Sequence, residues 1–355
     1  MKSRDRSVSA VVLAAGQGTR MRSARPKPLH VLGGRPMVRH VLDALHGVAA
    51  SRIVVVVGHG ADAMITKLSG RLDGVTIEFA EQAEQRGTGD AVGIALATLG
   101  AQDGAGDDVI VLPGDTPLLR PESLVAMVET HRSTAAAATA LTARVDDATG
   151  YGRIIRDASG SVTGIVEHAD ATTEQRDIDE INTSIYCFRR DLLADALGRI
   201  RPDNAQGEWY LTDVIGVLHG DGHRVSAWVV DDPAEAQGVN DRVQLAAAEA
   251  TLRTRINDGW MRAGVTLVDP ASTVIDPDVE LARDVTVFPG AVLRGATVVD
   301  EGAQIGPHAV LVDAVVGAGA VIGASAVLES GAVVEAGAQV DPLTLLVGSA
   351  RRAQR

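Results

Sequence analysis

The chain has 355 residues, 46% apolar and 22% charged, a globular composition long enough for about two domains. Its net charge of −13 excludes a general nucleic-acid binder, whose surface is basic, but not a protein that holds a phosphorylated small molecule with a few local cations. One cysteine, Cys187, excludes a disulfide framework within the chain, and no apolar run reaches the ~18 residues of a membrane helix.

The polar start MKSRDRSVSA leads into a short apolar run that stops at a glycine loop. That is not a secretory signal, so the expected location is cytoplasmic, without membrane attachment. Residues 9–15 read as a buried strand, 37–45 as a helix, 52–57 (RIVVVV) as a second strand and 61–68 as a helix. Residues 75–80 form a third strand, 89–99 a helix of small residues, 108–112 (DVIVL) a fourth strand and 121–132 a helix opened by Pro121 and Glu122. β-Branched runs alternating with helices predict an α/β, Rossmann-like domain with a mostly parallel sheet covered on both faces. Ligands in such sheets bind beyond the carboxyl ends of the strands, where Gly16 and Gly114-Asp115 stand.

Leu245, Ala248, Leu252, Ile256 and Trp260 then recur at helical spacing, predicting a connecting helix over 241–263. Beyond it, Leu281, Val287, Leu293, Val299 and Ile305 are spaced as hexads, as are Val316, Ile322, Leu328, Val334 and Val340. The step from Ile305 to Val316 is one residue short of two hexads. Glycines follow several of these positions, as in IGPHAV and IGASAV, and the period is that of a parallel β-helix. The division expected is 1–240, helix 241–263, a short β-helix over 264–347 and a basic, frayed tail over 348–355.

The strongest local signal is LAAGQGTRM at 13–21 followed by RPKPLH at 25–30. Gly16 and Gly18 allow backbone amides to approach a phosphate, Arg20 adds a fork of donors and Lys27 a point charge. The dinucleotide fingerprint fails because Met21 stands where its third glycine would be, and no G-K-[ST] follows.

These motifs resemble the signature of sugar-phosphate nucleotidylyltransferases. More closely, the chain resembles the bacterial bifunctional N-acetylglucosamine-1-phosphate uridylyltransferase/glucosamine-1-phosphate acetyltransferase family. QAEQRGTGDA, PGDTPLL, TGYGRI, GIVEHADAT, EINTSIY, NAQGEWYLTD and GVNDR follow in the family's order through residues 10–242. The resemblance implies transfer of the uridylyl group of UTP to N-acetylglucosamine 1-phosphate, with release of pyrophosphate. It places the nucleotide on Leu13, Ala14, Ala15, Gly16, Gly18 and Thr19, with Arg20 and Lys27 catalytic and Gln82, Gly87 and Thr88 at the uracil. It assigns Mg²⁺ to Asp115 and Asn240, and the sugar to Gly152, Glu167, Asn182, Tyr210 and Thr212. His30 and His168 are expected to be buried, hydrogen-bonded histidines without a chemical role. The hexapeptide repeats resemble left-handed β-helix domains, which associate as homotrimers; a trimer is expected here too.

Three residues depart from the family pattern. Asp90 stands in place of a histidine after GTG, Trp209 in place of a tyrosine, and Asp241 in place of the second asparagine of GVNNR, where it would add charge beside the metal. The family's acetyltransferase motifs are missing after residue 264, so acetyl transfer is not expected. Transfer to another hexose or hexosamine 1-phosphate, or a non-catalytic regulatory role, are the alternatives; retention of Arg20, Lys27, Asp115 and Asn240 together opposes the second.

Overall fold

A computed structural model of the protein describes residues 7–100 and 107–348. The extreme amino terminus and the expected frayed tail beyond residue 348 lie outside the described residues. The chain divides into two compact units at residue 245, with residues 31–35 grouping with the second.

In the first unit the four apolar runs form strands β1 (Val8–Leu13), β2 (Arg52–Val57), β3 (Val75–Glu81) and β4 (Asp108–Pro113). They pair in parallel in the order β3-β2-β1-β4, with Ser9 opposite Arg52 and Val8 opposite Asp108. Alternate residues of each strand enter two separate cores. Ala10, Val12, Val55 and Ile110 face helices α1 (Met37–Asp43), α2 (Ala61–Leu68) and α4 (Pro121–Ser133). Val11, Val54, Val56 and Val111 face α3 (Thr88–Leu99) and α5 (Asp213–Gly220). Burial on both faces is why these runs lack polar alternation. The first strand ends at Leu13 rather than at residue 15, so Ala14 and Ala15 already belong to the loop that leaves the sheet.

Beyond β4 the sheet continues through antiparallel pairings. The strands are β5 (Ala138–Arg144), β6 (Arg153–Arg156), β7 (Val162–Val166) and β8 (Glu180–Arg189). β8 runs antiparallel to β4 and β5, and β6 and β7 form an antiparallel hairpin. The turn of that hairpin explains its direction: Asp157 Oδ1 accepts from the amides of Ser159 and Ser161, and Gly160 takes φ 83°. So short a connection cannot return a parallel strand. β8 carries a register shift between Asn182 and Ile185, with Ser184 at φ 62°.

In the second unit, helix α6 (Arg242–Arg262) leads into two- and three-residue strands stacked as three parallel sheets, which fit a left-handed β-helix of hexapeptide repeats. Val292 pairs with Val310, three hexads on, whereas Val298 pairs with Val315, one residue short. The missing residue is absorbed at the corner of Asp313, which adopts φ 49° while its Oδ1 accepts from Ala296 N at 2.9 Å. The expected Leu, Ile and Val positions are buried from Leu281 to Val334, and Val340 is half-buried, with no further strand paired on its own among the described residues. A second inward position, two residues earlier, carries alanine at 291, 303, 309, 314, 320 and 326, all fully buried. α6 closes one end of this core with Ile256, Trp260 and Met261. Its buried Asn257 donates to the carbonyls of Pro270 and Thr273.

The glycines that follow the large core residues answer to coil stacking. A Cβ on Gly306 would lie 2.6 Å from the carbonyl oxygen of Ile322, and one on Gly323 2.5 Å from Pro342 N. Backbone cannot retreat as a side chain can, so Gly306→Ala should destabilise the β-helix by about 1–3 kcal/mol. The check is the denaturant midpoint; a midpoint equal to the parent's would show that the coils can spread.

Candidate active site

A cavity of about 610 Å³ opens at the carboxyl ends of β1, β3 and β4. Its wall includes Leu13, Ala14, Ala15, Gly16, Gly18, Thr19, Arg20 and Lys27 from the first loop, and Gln82, Gly87 and Thr88 after β3. Asp115, Asn182 and Asn240 complete the expected residues found there. The amides of residues 16–20 donate to no described residue, so they are left to bond a ligand's oxygens. Gly16 has open space where a Cβ would be, so packing does not demand glycine there. Gly18 is different: it takes φ 59°, and a Cβ would lie 2.5 Å from Lys27 Cβ. The second glycine thus lets the loop close over Lys27.

Lys27 is the centre of the polar network. Its ammonium pairs with Asp115 Oδ2 and donates to Asn240 Oδ1 at 2.7 Å. Arg20 donates to the same Asn240 oxygen at 3.0 Å. The loop carrying Asn240 is fastened twice: Val239 N donates to the carbonyl of Asp115, and Asn240 N to Gln244 Oε1. Asp241 is turned to another task. Its Oδ1 accepts from the amides of Val243 and Gln244 at the start of α6, so this carboxylate caps the helix rather than adding charge in the cavity.

Asp115 and Asn240 aim two hard oxygen donors at one point, the position of Lys27 Nζ. Among the described residues no three His, Cys, Asp or Glu side chains gather as a metal cage. One carboxylate and one amide oxygen fit a Mg²⁺ ion that takes its remaining ligands from phosphates and water, not a site closed by protein alone.

The expected sugar residues form a cluster only partly on the cavity wall. Asn182 lines it; Gly152, Glu167, Tyr210 and Thr212 do not. Asn182, Gly152, Glu167 and Thr212 touch one another nonetheless. Asn182 N donates to the carbonyl of Gly152, a Cβ on Gly152 would meet Glu167 Oε2 at 3.3 Å, and Thr212 Oγ1 donates to Glu167 Oε1. The bulge in β8 orients Asn182, whose Oδ1 accepts from Ser184 N and from the buried Tyr186 hydroxyl, leaving its amide hydrogens to face outward. Burial raises the Glu167 pKa; the Thr212 bond opposes this, and Asp213 and Asp170 add to it. Tyr210 keeps its hydroxyl buried without a partner, and burial beside Asp170 and Glu167 pushes its pKa up to about 12.

The histidines depart from expectation in detail. His30 is buried with Nε2 unpaired, whereas His168 is half-buried rather than buried, with Nδ1 unpaired. Burial, then the Arg242 and Arg25 charges, lower the His30 pKa, against the hydrogen bond to the Arg25 backbone that the expectation called for. Sequence reasoning missed Tyr151 and Gln85, although both stand inside the quoted motifs. Tyr151 lines the cavity, its pKa raised by burial and by the Asp115 charge. Gln85 donates to the carbonyl of Ala15 at 2.7 Å and so ties the loop after β3 to the phosphate loop.

A Rossmann-like sheet with amides and cations gathered beyond its β1 and β4 ends is the arrangement of a nucleotide-transferring enzyme, and the family comparison agrees. Residues 9–261 match the nucleotidyl transferase family, to which the chain belongs. Its relatives include the bifunctional protein GlmU of Thermobifida fusca, 50% identical over 89% of this chain and 65% of that one. The bifunctional protein GlmU of Streptomyces coelicolor is 51% identical over 88% of this chain and 64% of that one. The chain therefore spans about two-thirds of the length of these relatives. A solved structure from Bacillus anthracis, described as a candidate glucose-1-phosphate thymidylyltransferase, shares the fold with a TM-score of 0.54 at 21% identity, over 69% of this chain and 95% of that one.

Because a raised folded pKa means the folded state holds the Glu167 proton more tightly than the unfolded state, its contribution to stability is full at low pH. It is lost as pH rises through the folded value. Thr212→Val removes the bond that opposes the rise, so Glu167 should titrate at higher pH than in the parent. Carboxyl NMR would read this directly; an unchanged or lower titration midpoint would show that the Thr212 bond does not act on the carboxylate.

Proposed function

We propose that the protein transfers the uridylyl group of UTP to N-acetylglucosamine 1-phosphate, giving UDP-N-acetylglucosamine and pyrophosphate. The observation that carries this reading is the arrangement along the sheet edge. The phosphate loop and Asp115 follow the central strands β1 and β4, Gln82 follows β3 on one side, and Asn182 lies on β8 on the other. A base, a triphosphate and a sugar phosphate laid across those strands in that order bring the reacting phosphates together over Lys27. The ordered set of motifs and the GlmU relatives support the choice of uridine and of an acetamido sugar. A matrix of nucleoside triphosphates against sugar 1-phosphates, scored by pyrophosphate release, tests the reading. Its strongest signal is expected from UTP with N-acetylglucosamine 1-phosphate, and a different best pair would replace it.

In this reaction a phosphate oxygen of the sugar phosphate forms a bond to the α-phosphorus of UTP while the bond to the pyrophosphate oxygen breaks. No covalent enzyme intermediate is needed, so catalysis rests on positioning and on charge. The amides of residues 16–20 bind phosphate oxygens, and Arg20 and Lys27 offset the charge that develops on the transferred group. A magnesium ion held by Asp115 and Asn240 would neutralise triphosphate charge and fix its orientation. Lys27, which occupies those two oxygens in the structure, is then free to pair with phosphate. Glu167, oriented by Thr212, and the outward amide of Asn182 suit the hydroxyl and acetamido groups of the sugar.

Lys27→Ala should lower kcat about 100-fold or more, since its charge acts on the transferred group; a loss below about threefold would make Lys27 merely a partner of Asp115. Asp115→Asn should raise the Mg²⁺ concentration for half-maximal rate about tenfold or more. Full activity of that variant at low Mg²⁺, or of the parent in excess chelator, would remove the metal assignment.

A further inference from the structure

Gln82 is almost wholly buried, with 5% of its surface exposed, yet lines the cavity. Its Nε2 donates to Asp90 Oδ2 at 2.8 Å and to the carbonyl of Gly87 at 3.1 Å. Both neighbours are acceptors only, so the amide cannot turn over without setting its oxygen against a carboxylate and a carbonyl. Its Oε1 accepts nothing from the described residues. The other carboxylate oxygen, Asp90 Oδ1, accepts from Arg86 at 2.7 Å, and the Arg86 guanidinium lies 5.7 Å from the centre of the Trp209 ring. Trp209 N in turn donates to the carbonyl of Arg86, and the Trp209 carbonyl accepts from Gly89 N in the first turn of α3. Two of the three residues that depart from the family pattern thus belong to one chain of contacts ending on Gln82.

We infer that Asp90, held by Arg86 and Trp209, is a positioning residue that fixes the Gln82 amide as a pure acceptor and thereby selects a pyrimidine carrying a ring N–H. Uracil and thymine carry that hydrogen at N3; cytosine has a lone pair there and would set acceptor against acceptor. This rests on the proposed use of a uridine nucleotide, with the base beside Gln82. Without Asp90 only the Gly87 carbonyl opposes turning the amide over to present its nitrogen, so discrimination between the two bases falls.

The test measures binding of UTP and CTP by calorimetry, and kcat/KM for each with N-acetylglucosamine 1-phosphate, in the parent, Asp90→Leu and Arg86→Met. Asp90→Leu should reduce the UTP/CTP ratio about tenfold or more in both readouts, the size expected for one buried polar mismatch. The loss should fall on KM for the nucleotide, while KM for the sugar phosphate and the thermal midpoint stay unchanged. Arg86→Met, at an exposed position, should move the ratio in the same direction by a smaller factor. A ratio within twofold of the parent's in every variant that folds overturns the inference. Because binding is read without turnover, a parent that binds UTP selectively but transfers it to no sugar phosphate refutes the functional reading alone. A parent that binds the two nucleotides equally refutes the inference.

Discussion

One ammonium group organises the first unit. Lys27 is mostly buried, and a buried cation is tolerated only where oxygen partners replace water. Its partners come from the end of β4 and from the loop before α6, segments 125 residues apart in the chain. Bringing them together requires Gly18 to adopt a left-handed backbone over Lys27, Val239 to bond to the Asp115 backbone, and Gln244 to hold the Asn240 amide. The same oxygens that satisfy Lys27 have the hardness and number that a magnesium ion bound mainly by phosphates requires. On the proposed reading, the ion pair and a magnesium ion are alternative occupants of one geometry, and the difference between them is where the lysine charge goes.

The rest of the site follows from how the sheet is assembled. Parallel pairing of β1, β2, β3 and β4 sends the loop that follows each strand to the same edge, which is why motifs far apart in the chain share one cavity. The antiparallel strands beyond β4 widen this edge, and the bulge in β8 turns Asn182 toward it. Burial also acts around Glu167, raising its pKa against the opposing hydrogen bond from Thr212. On the opposite flank, a carboxylate from the first turn of a helix and the Gly87 carbonyl together fix which way the Gln82 amide faces.

The sequence alone determined the layered architecture, because it depends on periodicity. β-Branched runs with no polar alternation have one stable use, a sheet covered on both faces, and a hexad period has one use in a β-helix. It also determined the phosphate loop, since glycines and cations at close spacing act through local backbone. What tertiary structure decided were the pairings across long separations. Nothing in the spacing of Asp241 shows that it caps α6, or that Asp90 and Trp209 meet through Arg86. The inward alanines of the β-helix were equally hidden, because alanine occurs everywhere in the chain and only the corner geometry gives it a facing position. Tyr151, Gln85 and Asn257 were invisible for the same reason: each acts on a backbone or a charge whose neighbourhood exists only after folding.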